Sequence, residues 1–249
     1  MRDNQIDIIL TPDPQKTKFA TGIITIERVE NGIWHYKNPH ILLNETLPDG
    51  NLLQALPHEA QHIRHHLVQA GNPDFRHNDN DHCLLRRIQE ADAQTESVWL
   101  AYLLKQAGDP EPWQATLQTV FAPMSEAFEK TCHDRPLSLY TGVARRAAFD
   151  TWFTIPHNRA FYDENTLTVQ HNYVEHAAKA NPAHGLNKTS LSAHMIDRIG
   201  KLSGINYLAL KRYPAITDDF YRQDIAANIE KLNRAARRYD KGHTPPGHA

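Results

Sequence analysis

His58-Glu59-Ala60-Gln61-His62 sets two histidines four residues apart with a glutamate between them. On a helix, residues four apart lie one above the other, so both imidazoles can reach one metal ion. Glu59 is rotated away from both, near enough to hold a water on that ion without being needed as a ligand. Two neutral nitrogen donors, an open position for water and a carboxylate base are what metal-assisted hydrolysis needs, with zinc the favoured ion. The chain holds 16 histidines. Even at that abundance only ~0.05 chance occurrences of the pattern are expected, so it is read as a site.

Two histidines make a weak site, and a third protein ligand is needed. A third histidine in the HExxHxxGxxH pattern is excluded, because position 65 is His rather than Gly and position 68 is Val. The next helix offers Gln89-Glu90-Ala91-Asp92-Ala93. Glu90 shares a face with Ala93, Gln94, Ser97 and Ala101, whose small members allow another helix close enough for a carboxylate to bind zinc at about 2.0–2.2 Å. Glu90 is the favoured third ligand; His65, His66, His82 and Glu96 compete with it, and the remaining histidines of 65–82 read as solvated surface. Asp92 falls on the opposite side of the helix, among Leu84, Leu85, Ile88, Thr95 and Trp99. A carboxylate there needs a partner: it either orients a ligand histidine or an arginine from behind the metal, or forms a structural ion pair.

These residues must be held by elements that the hydrophobic pattern defines. Leu52, Leu56, Ala60, Ile63 and Leu67 form one stripe of a helix over about 51–70, leaving His58 and His62 on the far side. Pro57 should kink that helix or make it start late. Upstream, 6–10, 22–29 and 33–36 read as strands, with Asn31-Gly32 as a hairpin turn. Lys37-Asn38-Pro39 should turn the chain again into a strand over 40–44. In zincin proteases the strand before the HExxH helix is a sheet edge that pairs with extended substrate, and His40–Asn44 is expected to be that edge. Downstream, helices are expected near 83–106 (capped by Asp81), 113–131, 138–153, 159–179, 189–202 and 217–239, with 202–210 ambiguous. The fold class is therefore α+β, a small, mainly antiparallel N-terminal sheet followed by a helical region.

HEAQH followed by Arg86-Arg87-Ile88-Gln89-Glu90-Ala91-Asp92-Ala93 resembles an uncharacterised family of bacterial zinc metallopeptidases. Ala144–Phe153 and Tyr162-Asp163 resemble the same family's C-terminal helices, so the likeness covers roughly residues 30 to 175. Pro57 departs from it, since a small residue is more usual there. The resemblance implies a zincin-like fold, His58, His62 and Glu90 as zinc ligands, and Glu59 as base. It implies no particular substrate.

Composition sets the outer limits. The chain has 249 residues, 27 basic and 29 acidic, for a net charge of −2, which argues against a basic nucleic-acid surface. Arg234, Arg237, Arg238 and Lys241 read as a solvated helix face beside Glu230 and Asp240. No apolar run is long enough to span a bilayer and no signal core is seen, so a cytoplasmic location is expected. Cys83 and Cys132 read as buried thiols. The expected layout is a metallopeptidase domain over 1–180, a helical extension over 181–240 and a disordered tail over 241–249. The function expected is zinc-dependent hydrolysis of a peptide or protein substrate, with Tyr140, His171, Tyr173, Arg86 and Arg87 as candidates to stabilise the oxyanion. The alternative is a catalytically inactive metal-binding protein with a peptidase-like fold.

Overall fold

Short β-branched runs followed by long amphipathic stretches set the order of elements. In the computed structural model, which describes residues 6–13, 20–30, 33–68, 70, 77–180, 191–202, 204–210 and 219–242, three strands precede the helices: β1 (Asp7–Thr11), β2 (Ala20–Glu30) and β3 (Ile33–Asn44). They form a sheet of order β1-β3-β2, with β2 antiparallel and β1 parallel to β3. The helices α1 (Asp49–Leu67), α2 (Asp79–Gln106), α3 (Glu111–Leu117), α4 (Ala122–Asp134), α5 (Ser138–Thr141), α6 (Val143–Trp152) and α7 (Pro156–Ala180) follow. After them come α8 (Ala193–Ile199), the short pair β4 (Lys201–Leu202) and β5 (Ile205–Asn206), a 3-10 turn over Tyr207–Ala209, α9 (Asp219–Arg222) and α10 (Ile225–Gly242). The α+β class expected from the sequence is the class observed.

Several expected breaks fall elsewhere. The turn at Lys37-Asn38-Pro39 is a bulge inside β3: the register steps from Ile23 opposite His40 to Thr25 opposite Lys37. Asn38 takes a positive φ of 49°, which asparagine tolerates, and Pro39 has no N–H to give the ladder. The Asn31-Gly32 turn lies outside the described residues, although Glu30 and Ile33 pair on either side of it. The single helices expected over 113–131, 138–153 and 217–239 are each split. Pro123 restarts the chain in the first turn of α4, Gly142 turns left-handed between α5 and α6 (φ 79°) and Asp224 does so between α9 and α10 (φ 66°). The cap of α2 is Asn78 rather than Asp81: its Oδ1 accepts the Asp81 N–H at 2.9 Å. The ambiguous stretch 202–210 holds β5 and the 3-10 turn.

The expected edge strand is also corrected. His40–Asn44 pairs with β1 on one side and with Ala20–Ile23 of β2 on the other, so it is central and the edges are β1 and β2. A parallel β1 on the free side of β3 could not be placed by local pattern, because parallel pairing depends on a long connection.

The apolar stripe of α1 is what joins helix to sheet. Ile63 packs with Ile41 and Leu43, and Ala20, Leu52, Leu56, Ala60 and Leu67 close around them. The helix runs on through Pro57 rather than starting after it.

The chain divides into two compact units. One comprises Met1–Asn72, Ile88–Thr154 and Ser192–Ile216; the other comprises Pro73–Arg87, Ile155–Leu191 and Thr217–Ala249. In the first, Trp113, Phe128, Phe149 and Trp152 are buried. The second is built around Arg87 and Asp163, both without exposed side-chain surface, 2.6 Å apart. Cys83 and Cys132 are free and buried. Among the described residues no helix is long and apolar enough to cross a membrane.

Because Ile63 is 1% exposed and sits between sheet and helix, Ile63→Ala should cost about 3 kcal/mol through lost burial and a cavity. Urea denaturation of the variant checks this, and a loss below about 1 kcal/mol would mean the contact between α1 and the sheet is not a source of stability.

Candidate metal centre

All the residues of this site belong to the first unit. His58 and His62 stand one turn apart on α1 with their Nε2 atoms 3.0 Å from each other and their rings edge to face. Glu90 on α2 turns its carboxylate to the same point, Oε2 at 3.5 Å from His58 Nε2 and Oε1 at 3.4 Å from His62 Nε2. Glu90 is buried and the two histidines are half-buried. Ligand atoms about 2.0–2.1 Å from a tetrahedral ion lie about 3.3–3.4 Å apart, so the spacing suits one small cation. Among the described residues, His58, His62 and Glu90 form the group whose donor atoms converge closely enough to hold a metal ion.

The competing third ligands are turned elsewhere. His65 is buried against Asp92, with 2.7 Å from its Nε2 to Asp92 Oδ2. His82, in the second unit, is 2.9 Å from Gln170 Oε1 through its Nδ1. Glu96 lies 3.3 Å from Arg145 Nε, and His66 is half-buried on α1.

Glu59 faces the sheet. Its Oε2 accepts the backbone N–H of Gly22 on β2 at 2.7 Å. A Cβ at Gly22 would stand 3.1 Å from the Glu59 carbonyl oxygen and 3.2 Å from Oε2, so the absence of a side chain lets this strand approach the helix.

Asp92 has no exposed surface and collects donors from two directions. Besides His65, its Oδ2 accepts from Gln61 Nε2 and lies 3.5 Å from Arg64 Nη2. The Tyr207 hydroxyl, from the 3-10 turn, donates to Oδ1. The two carboxylates expected on opposite sides of α2 therefore both reach α1, Glu90 at His58 and His62, Asp92 at Gln61, Arg64 and His65. Burial pushes the Asp92 carboxyl up, but the hydrogen bond and charge of His65, the Arg64 charge and the Tyr207 hydrogen bond outweigh it, so the group titrates below the ordinary range. Burial also lowers His65, against the pull of Asp92, and raises the Tyr207 phenol. The Asp92 carboxylate thus receives the His65 ring N–H and the Tyr207 O–H. Arg64 in turn donates to Gln61 Oε1 at 2.9 Å, to the Lys201 carbonyl at 3.1 Å and to the carbonyls of Arg198 and Ile199.

Of the oxyanion candidates, Tyr140 is 69% exposed on α5, and Arg87 is committed to Asp163 and the carbonyls of Tyr221 and Gln223. Arg86 is exposed; the side chains of His171 and Tyr173 lie outside the described residues. Sequence reasoning missed Gly22, Gln61, Arg64 and Tyr207. Gly22 and Tyr207 lie 37 and 115 positions from their partners, beyond any local pattern; only Gln61, inside the motif, and Arg64, just after it, offered a signal.

A chain that buries a carboxylate to meet two imidazoles one turn apart has the donor set of a metal-dependent hydrolase. A family model described as "Putative metallopeptidase family (DUF6782)" matches residues 15–222, and the chain belongs to that family. No curated protein and no solved structure matches the chain.

Behind the site, desolvation raises Glu96 from an ordinary 4.5 to about 7, the nearby Asp92 charge adding to it and Arg145 opposing it. A carboxyl raised by folding contributes stability below its unfolded pKa and loses that contribution as pH rises through the folded one. Wild type should therefore lose a few kcal/mol relative to Glu96→Gln between about pH 4.5 and 7.5. Paired denaturation curves across that range test it; a constant difference would show that Glu96 ionises normally in the fold.

Proposed function

We propose that this protein is a zinc-dependent metallopeptidase of the gluzincin type, with His58, His62 and Glu90 as metal ligands and Glu59 as general base, acting on a peptide or protein substrate. The observation that carries this reading is the convergence of three donors of the right kind on one point, in a chain of a metallopeptidase family. A zinc ion held there supplies Lewis acidity, polarising the scissile carbonyl and acidifying a water.

The protein's own groups do the rest. Glu59 takes the proton from the attacking water and delivers it to the leaving amine. The Gly22 N–H holds that carboxylate against β2. Since β2 is an edge of the sheet, an extended peptide laid along it would bring its backbone to the base, by strand addition. Asp92 sits behind the ligands and fixes α1 through Gln61, Arg64 and His65 rather than through a ligand histidine.

Elemental analysis of untagged protein should find near one zinc per wild-type chain. Glu90→Ala should weaken zinc by about 100-fold through loss of a ligand. Glu59→Gln should keep the metal yet cut hydrolysis of unfolded casein by at least about 100-fold. Wild type that takes no metal even when zinc is supplied would end the metallopeptidase reading. Wild type that holds zinc but cleaves no member of a diverse peptide library would favour the inactive metal-binding alternative.

A further inference from the structure

We infer that Tyr207 is a positioning residue for the metal centre: its hydroxyl, through Asp92 and His65, sets how His62 on α1 stands against Glu90 on α2. This rests on the ligand assignment proposed above and extends it to the Ser192–Ile216 segment, which lies outside the proposed ligand set.

The path is continuous. Tyr207 Oη donates to Asp92 Oδ1, and Asp92 Oδ2 takes His65 Nε2 at 2.7 Å. The His65 ring meets the His62 ring edge to face, centroids 5.8 Å apart, and His62 meets His58 in the same way at 4.7 Å. Gln61, next to His62 in sequence, is bonded to the same Asp92 oxygen as His65. Asp92 stands two residues after Glu90 on α2. One carboxylate therefore ties Gln61 and His65, on either side of His62 on α1, to the helix that carries the third ligand.

The Tyr207 hydroxyl occupies the second oxygen of that carboxylate. With it in place, Oδ2 is left to the α1 donors; without it, Oδ1 is a buried acceptor drawn to compete for them. The ring itself is fixed independently. Tyr207 has no exposed surface, its ring lies 5.9 Å from Phe149, and its Cβ would stand 2.8 Å from any Cβ built at Gly142. Removing only the hydroxyl therefore leaves the packing and loosens the carboxylate.

The test uses the full chain and zinc alone. Zinc affinity is measured by chelator competition on folded wild type, Tyr207→Phe, and Ser125→Ala. The last deletes a buried hydroxyl of the same unit, 3.0 Å from Thr116 Oγ1, and reports what general loosening does. The cobalt-substituted forms are compared by visible absorption, which reads ligand geometry. Tyr207→Phe should bind zinc about 10-fold more weakly, within the range for groups that orient ligands from behind, and shift the cobalt bands, while Ser125→Ala does neither. Tyr207→Phe with wild-type affinity and spectrum would overturn the inference, as would an equal loss in Ser125→Ala. Failure of wild type itself to bind zinc would refute the ligand assignment, and is seen before any variant is compared.

Discussion

A carboxylate with no exposed surface is stable only where donors replace the water it has lost, and in the first unit Asp92 is satisfied in this way from two separate elements. Its donors come from α1 and from the 3-10 turn. The α1 donors tie that helix to α2 at Asp92. Glu90, half a helical turn earlier on α2, stands at His58 and His62. The three proposed ligands thus converge beside a buried charge whose donors tie α1 to α2.

The other side of α1 is governed by a softer force. Its apolar stripe lies on Ile41 and Leu43 of the sheet, and burial of that kind is nondirectional: it sets distance, not angle. Direction comes from single polar contacts. The Gly22 N–H to Glu59 is one, fixing the proposed base against β2. The donors around Asp92 are the other, fixing the opposite flank. A helix held by grease on one side and hydrogen bonds at both ends of a five-residue motif has little freedom to rotate.

A second buried carboxylate of the same unit fares differently. Arg145 stacks over Trp99 with its guanidinium carbon 3.9 Å from the ring centroid and faces Glu96. Desolvation raises that carboxyl to about 7, because one cation shared with an aromatic face does not compensate it fully. Asp92, four residues earlier on the same helix, stays ionised because it has several donors. Two acids one turn apart thus shift in opposite directions, Asp92 down and Glu96 up, and the donors aimed at each help to separate them.

Much was legible from the sequence alone. The spacing of His58 and His62 follows from the helical repeat, and the stripe Leu52–Leu67 is the surface that packs on the sheet, because periodicity is a property of the chain itself. The small residues on its face single out Glu90 among its neighbours, and the structure brings it to both histidines. Strand order, the partner of Glu59 and the donors of Asp92 were not legible. Each joins residues whose separation along the chain carries no period, so only packing could decide them: β1 took the free side of β3, Gly22 came to Glu59 because no side chain intervened, and Tyr207 arrived from the far end of the unit. Local pattern determined which groups stand on one helix face; closing the tertiary structure around a buried carboxylate decided what stands opposite them.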